Sequence, residues 1–390
     1  MSDLAKFYLN FTLAFAEIGR VLAVRSNSPK FKTLGAQGII LTLMSSQAHP
    51  TPKTQSGWKS ILKRAWPTIR VLLSIALLWK ATSGIDWHSL FDTHIQMQPI
   101  WFLAALASMM CAFICGGYRW GLFMQSVGFP RRIRSYIGLY FAGGLINQGL
   151  PSTLGGDSYR AITATHLTNT GNLSETKELD EELHHSVDLE HATPKLRLSF
   201  SMVLVDRLLG LAGNNLLGGI GLILGGATLA AWGQDLGYAV MAVMLLAGLA
   251  IALILAWGPS KQLLQNVLDR FNMNNAMPGI RLAFAWPNNI AQACLAIGIH
   301  FLTILTLLFC LKAYGVDAPI EGLMIGLPAL SLLLMLPISI SGWGLREATL
   351  SSVLALWGVN PSLTVLASIS YGAITVLSVL PGAYFLLKRK

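Results

Sequence analysis

Asn147-Gln148-Gly149-Leu150-Pro151-Ser152-Thr153-Leu154-Gly155-Gly156-Asp157-Ser158-Tyr159-Arg160 stands at the end of an apolar run, where a membrane helix is due to close. A plain polar loop would suffice there. This stretch instead supplies a helix breaker, a glycine pair, a carboxylate and a guanidinium. Pro151 removes a donor and clashes with the preceding turn, so it ends the helix. Gly155 and Gly156 permit backbone angles that other residues avoid. Asp157 and Arg160 are i,i+3 and share a face if a new helix starts here. A broken helix carrying charge at membrane depth is tolerated where it is buried in protein or lines a cavity.

The rest of the chain makes membrane depth the right frame. Its 390 residues are 53% hydrophobic and only 12% charged, with mean hydropathy +0.56. A soluble domain carries roughly 25% charged residues. The expected class is therefore all-α, a polytopic integral membrane bundle of about eight spans, each needing ~20 residues. The net charge of +10 reads as topology signal and contact with anionic headgroups. It does not read as a nucleic-acid surface, because no basic soluble domain is present to form one. Cys111 and Cys115, and later Cys294 and Cys310, lie within apolar runs and read as small buried hydrophobes.

Residues 1–56 form an N-terminal extension in which Glu17 and Arg20 interrupt the apolar stretch and no signal peptide is evident. The membrane domain is expected over 57–390. Lys53, Lys59, Lys63, Arg64 and Arg70 precede a first span at about 67–82 and place that side in the cytoplasm. Further spans are expected at about 99–118, 136–150, 199–231, 236–257, 290–311, 320–336 and 362–387. The connection from Arg119 to Arg134 is read as a cytoplasmic loop, and the long run 199–231 as tilted or broken near Gly213 or Gly218. The terminal Lys388-Arg389-Lys390 favours the cytoplasm again, so both termini are expected there. By the same count the basic 261–281 loop falls outside, against the rule.

Between these spans, residues 170–197 form an acidic extramembrane loop. Its His184, His185, Asp188 and His191 have helical spacing, but a solvated charged segment is the plainer reading. No metal site is assigned.

The opening stretch has an echo. Leu336-Pro337-Ile338-Ser339-Ile340-Ser341-Gly342-Trp343-Gly344-Leu345-Arg346-Glu347-Ala348 also follows an apolar run with Leu-Pro. Adding 186 to Pro151, Gly156 and Arg160 gives Pro337, Gly342 and Arg346. Matching interrupted segments in two halves are the sequence mark of a transporter built from repeats. We read Pro151, Gly155 and Gly156, and Pro337, Ser339, Gly342 and Gly344, as the structural residues of two re-entrant segments in pseudo-repeated halves. Ordinary span-to-loop turns with snorkelling arginines are the alternative.

The chemistry expected at these breaks is recognition of phosphate. Arg160 and Arg346 offer planar forks suited to it. Asp157 and Glu347 would hold them in the empty state or meet a cationic part of a headgroup. Asp206 and Arg207 add an intramembrane charge pair, a functional site by default. These six residues are the candidate lipid-headgroup set.

The motifs Pro151-x-x-x-Gly155-Gly156-Asp157-x-x-Arg160-Ala161, Val205-Asp206-Arg207-Leu208-Leu209-Gly210 and Leu336-Pro337-Ile338-Ser339-x-x-Gly342-x-Gly344-x-Arg346-Glu347-Ala348 occur in this order. In them the sequence resembles the lysylphosphatidylglycerol synthase transmembrane-region family, often described as flippase-like. The resemblance runs from about Trp58 to Lys390 and departs in two ways. No soluble aminoacyl-transferring domain follows the last span, so this is expected to be a stand-alone member that does not make the aminoacyl lipid. The acidic loop is longer than the family's usual connection. What the resemblance implies is a bacterial or archaeal cytoplasmic-membrane protein that handles lipids, by analogy with the domain that moves aminoacylated phosphatidylglycerol between leaflets; with the arginines, the expected cargo is a phosphate-bearing phospholipid or polyprenyl lipid.

The expected function is thus a lipid flippase or lipid-transport protein, with no catalytic residue, cofactor or metal. A glycosyltransferase using a polyprenyl-phosphate sugar is the enzymatic alternative. Against it, no Asp-x-Asp pattern occurs. A non-transporting partner of an envelope complex is the third reading. A membrane lipid is the expected ligand, with a second copy or envelope-biosynthesis proteins as expected associates.

Overall fold

The computed structural model describes residues 69, 71–80, 82–83, 97–130, 132–149, 154–167, 194–226, 288–334, 339 and 341–387. The extension 1–56, most of the acidic loop, the span expected at 236–257 and the basic loop after it lie outside the described residues. So do Pro151 and Pro337.

All secondary structure of any length among the described residues is helical. The helices are α1 (Val71–Lys80), α2 (Pro99–Ser126), α3 (Ile133–Gly149), α4 (Leu154–Thr165), α5 (Pro194–Leu224), α6 (Asn288–Ala313), α7 (Ile320–Leu334), α8 (Leu345–Ala355), α9 (Pro361–Val379) and α10 (Pro381–Leu387). Among them, four segments are long and apolar enough to cross a membrane: Pro99–Ser126, Pro194–Leu224, Ile290–Ala313 and Pro361–Leu387. Helices α9 and α10 together make the last of these.

Local chemistry sets the helix ends. Proline opens α2, α5 and α9, where its missing N–H costs nothing. At α9 the Asn360 side chain caps the first turn, accepting from the backbone of Ser362 at 2.9 Å. Helices α2, α6 and α8 stop in one way. Gly128, Gly315 and Gly358 take φ of +92°, +71° and +72°. The residue after each glycine donates back to Met124, Leu311 and Leu354, which is the Schellman arrangement.

Three sequence expectations are corrected here. The second span does not end at Tyr118, because apolar residues continue through Met124 and carry the helix to Ser126. Arg119 is therefore inside the bundle rather than in a cytoplasmic loop. Helix α5 runs unbroken through Gly213 and Gly218, both buried, which removes the broken alternative and leaves the tilted one. It also begins at Pro194, so the last residues of the expected acidic loop belong to a helix.

The order long helix, short helix, break, short helix, long helix occurs twice: α2-α3-α4-α5 and α6-α7-α8-α9/α10. Within each half the two short helices fold back on each other. Gly143 packs on Gly156 while Tyr140 lies against Arg160, an antiparallel pattern. In the second half Gly326 meets Leu350 and Gly322 meets Leu354, antiparallel again.

The packing between halves also repeats. Helix α3 packs on α9/α10 through Gly138 against Phe385 and Gly144 against Val379, as α7 packs on α5 through Met324 against Gly221. The two equivalent long helices, α2 and α6, lie side by side. Gln98 donates to the Ala313 carbonyl, the ring of Trp101 stacks on Phe309, and Ser108 donates to the Leu302 carbonyl. One partner's number rises as the other's falls, so they are antiparallel. A pseudo-twofold that exchanges antiparallel helices lies perpendicular to them.

Two apolar clusters fill the bundle. One gathers Trp120, Phe123, Tyr136, Met202 and Leu209 around the first hairpin, and the other Met109, Leu307, Leu323, Leu350 and Ile374 around the second.

Candidate functional site

The first set of charges assembles on three helices, α2, α4 and α5. Helix α4 starts just after the break and presents Asp157 in its first turn and Arg160 one turn later. Its approach to α3 depends on Gly156, whose added Cβ would strike the Gly143 carbonyl and the Asn147 side chain. Asn147 in turn accepts from the Gly156 N–H at 2.8 Å. That satisfies one of the unpaired donors of a helix start and fixes α4 relative to α3.

From α5, Asp206 enters between two arginines. Arg119 on α2 donates through Nε to its Oδ1 at 3.0 Å and through Nη2 to its backbone carbonyl at 3.0 Å. Arg160 places Nη1 and Nη2 on Oδ2, both at 3.2 Å, and Nε on Asp157 Oδ1 at 3.1 Å. Arg207 pairs with the other oxygen of Asp157. The Arg160 guanidinium also lies over the rings of Trp120 and Tyr140, at 5.0 and 4.9 Å, where the ring faces favour a cation. Asp157, Arg160, Asp206 and Arg119 are all buried, whereas the Arg207 side chain is 42% exposed. Buried charges survive only when paired and hydrogen-bonded, and each carboxylate oxygen here has a cationic partner.

The second set is smaller and local. Arg346 and Glu347 open α8 and are buried. Arg346 reaches Glu347 Oε1 through Nε at 3.0 Å and Nη2 at 2.6 Å. Ser368 on α9 joins them, donating to the same oxygen at 3.1 Å. Glu347 Oε2 accepts the Gly344 N–H at 2.6 Å, capping the helix it belongs to. Gly344 has φ +83°, and its missing Cβ lets α1 approach at Leu77 and Leu78. The Arg346 guanidinium lies over Trp343 at 4.6 Å and Tyr371 at 5.7 Å. It occupies the space that a side chain at Gly372 would fill.

Of the predicted residues, Asp157, Arg160, Asp206 and Arg207 come together in one network, and Arg346 with Glu347 in another. The two breaks meet directly. Ser341 donates to the carbonyls of Asn147 and Gln148, at 3.2 and 3.3 Å. Gly342, at φ +80°, faces Leu334 across its own hairpin. Gly155 and Ser339 are half-buried beside the breaks. The sequence reading missed Arg119, Tyr140, Asn147, Ser341, Ser368 and Gly372. For Arg119 a signal existed, since Trp120-Gly121-Leu122-Phe123-Met124 continues the apolar run beyond it. For the others, none did: a tyrosine or serine in a span is unremarkable until its neighbour is known.

Among the described residues no group of three or more His, Cys, Asp or Glu is placed to hold a metal ion. The described cysteines are free, with Cys310 buried and Cys111 and Cys294 exposed.

The family model described as the lysylphosphatidylglycerol synthase transmembrane region matches residues 68–382. The match covers most of the chain, and the chain belongs to this family. No curated protein gives a significant match, and no solved structure does. Membership, with the four spanning helices, makes this a multi-pass membrane protein of lipid-related processes.

Proposed function

We propose that this family member is a lipid flippase, moving a phosphate-bearing phospholipid or polyprenyl lipid across the cytoplasmic membrane without covalent chemistry. The observation that carries this reading is the pair of antiparallel helical hairpins, each broken at its tip and followed by a buried arginine. They meet where Ser341 donates to Asn147 and Gln148. In inverted-repeat transporters, broken helices of the two halves form the substrate site near the midplane. Re-entry of both hairpins from opposite sides is consistent with that plan, and so is a cytoplasmic location of both termini.

The carboxylates support a non-catalytic role. A glycosyl transfer needs a general base free to take a proton. Asp157 and Asp206 have both oxygens engaged by arginine.

Headgroup translocation in proteoliposomes tests the proposal. Wild-type protein is expected to bring fluorescent or isotopically marked phospholipid to the opposite leaflet faster than empty vesicles. Arg160→Ala and Arg346→Ala are each expected to slow it at least tenfold. Translocation at the wild-type rate by both variants would remove the arginines from the function.

A further inference from the structure

The two ends of the bundle differ in charge. At one end α2 stops, α3 begins, α4 stops and α5 begins. Arg132 and Arg134 flank the first residue of α3, and Lys195 and Arg197 stand in the first turn of α5. Lys195 joins the two pairs. It lies over the Phe129 ring at 5.7 Å and donates to the Thr165 carbonyl at the end of α4. Arg132, Arg134 and Lys195 are exposed. Neither helix has an acidic residue in its first turn, so these cations sit where the helix dipole disfavours them. No described carboxylate lies at this end. Asp157 is at the far end of α4, and Asp206 is twelve residues into α5, about 18 Å along it.

At the other end α2 begins, α5 and α6 stop and α7 begins. Gln98 donates to the Ala313 carbonyl there, and Gly225 lies against Glu321 and Trp357. The described charges are Lys312, Asp317 and Glu321. Contacts place the remaining termini. Helix α10 lies along α3 with Phe385 on Gly138, and α6 runs antiparallel to α2. Leu387 and Asn288 therefore belong to the basic end, and Gly226 to the other.

We propose that the basic end faces the cytoplasm and is a docking surface for anionic lipid headgroups. The cluster stands where the long apolar helices α2 and α5 end, which is headgroup depth for a spanning helix. Lys195 rests its stem on Phe129 as a snorkelling side chain does. Basic residues beside span ends mark the inner side, and the inner leaflet is the anionic one. The chain path agrees. Each hairpin, α3-α4 and α7-α8, returns to the end it left, whereas Gly226 and Asn288 stand at opposite ends. The chain thus crosses an odd number of times between them, and the apolar run 236–257 offers one crossing. Lys261, Arg270 and Arg281 then share the cytoplasmic side, and the conflict of the 261–281 loop with the positive-inside rule is gone. None of this requires that lipid be transported.

The surface is tested by melting purified protein in neutral detergent with dioctanoyl phosphatidylglycerol or dioctanoyl phosphatidylcholine. The anionic lipid is expected to raise the melting temperature by several degrees at low salt, and the zwitterionic lipid to leave it unchanged. Replacing Arg132, Arg134 and Lys195 together by glutamine should remove at least half of that shift, while Lys312→Gln at the other end should retain it. No shift in wild type, or an equal shift in the triple variant, overturns the surface. The competing anion is the chain's own 168–193 segment, which carries seven carboxylates and joins α4 to α5 at this end. A shift seen only after those seven are changed to amides assigns the surface to that segment and overturns the lipid as partner.

Orientation is read by a membrane-impermeant maleimide on cysteines introduced one at a time, with the unsubstituted protein as blank. Arg132→Cys and Asn288→Cys are expected to react in inverted vesicles, and Gly226→Cys and Asp317→Cys in right-side-out vesicles. The reverse pattern overturns the cytoplasmic assignment, and labelling of Gly226→Cys and Asn288→Cys from one side overturns the odd crossing. Both results as expected, without translocation in proteoliposomes, would sink the flippase reading alone.

Discussion

The two halves of the bundle carry one architecture and two electrostatic solutions. Each has a hairpin broken at its tip, and each places an arginine in the first turns after the break. In the first half that arginine is matched by Asp206, which comes from the next long helix and is shared with Arg119 from the preceding one. In the second half the corresponding long helix presents Gly372 against the guanidinium, and Arg346 is neutralised by its own neighbour Glu347 with help from Ser368. The first arrangement ties α2, α4 and α5 together through charge. The second keeps its charge within one helix start and uses packing for the rest. The two hairpins share a frame, and a few side chains make the first half an ionic junction.

This contrast can be broken by substitution. Asp206→Ala is expected to have the largest effect, about 4 kcal/mol of lost stability, because it strands two buried arginines. Chemical or thermal unfolding in detergent would measure it, and a loss under about 1 kcal/mol would show that water reaches the network. Glu347→Ala should cost less, about 3 kcal/mol, since Ser368 and the rings of Trp343 and Tyr371 still attend Arg346. If it exceeds Asp206→Ala in the same assay, the asymmetry between halves is reversed.

Gly372→Ala pushes a methyl group onto the Arg346 guanidinium and should cost about 2 kcal/mol as overpacking. Gly372→Asp combined with Glu347→Ala sharpens the comparison, because it moves the carboxylate to the helix that supplies it in the first half. Recovery of stability relative to Glu347→Ala alone is the expected result. The smallest effect belongs to Ser341→Ala, about 1 kcal/mol for a lost hydrogen bond between the two breaks. A larger change in translocation than in stability would mark that contact as a moving part.

Much of this was legible in the residues. Pro151 and Pro337, the glycines and the arginines after them announced two interrupted segments, because helix breakers within apolar runs have few other uses. Asp206 and Arg207 announced an intramembrane charge site, because such residues are too costly to be incidental. Arg119 was misplaced in a loop for a physical reason. Charge is an outside signal in sequence, and only a partner carboxylate on another helix makes it an inside residue. Gly372 carried no signal at all, since a missing Cβ has meaning only when something occupies its space.

Composition and periodicity thus determined a helical membrane protein with a duplicated break, because apolar span length and proline placement act along the chain. Tertiary structure decided which charges meet. It paired Asp206 with Arg119 and Arg160, left Arg346 to Glu347, and brought Ser341 to the end of α3. Those contacts join residues up to 194 positions apart, and helix packing around the pseudo-twofold, not local propensity, sets their geometry.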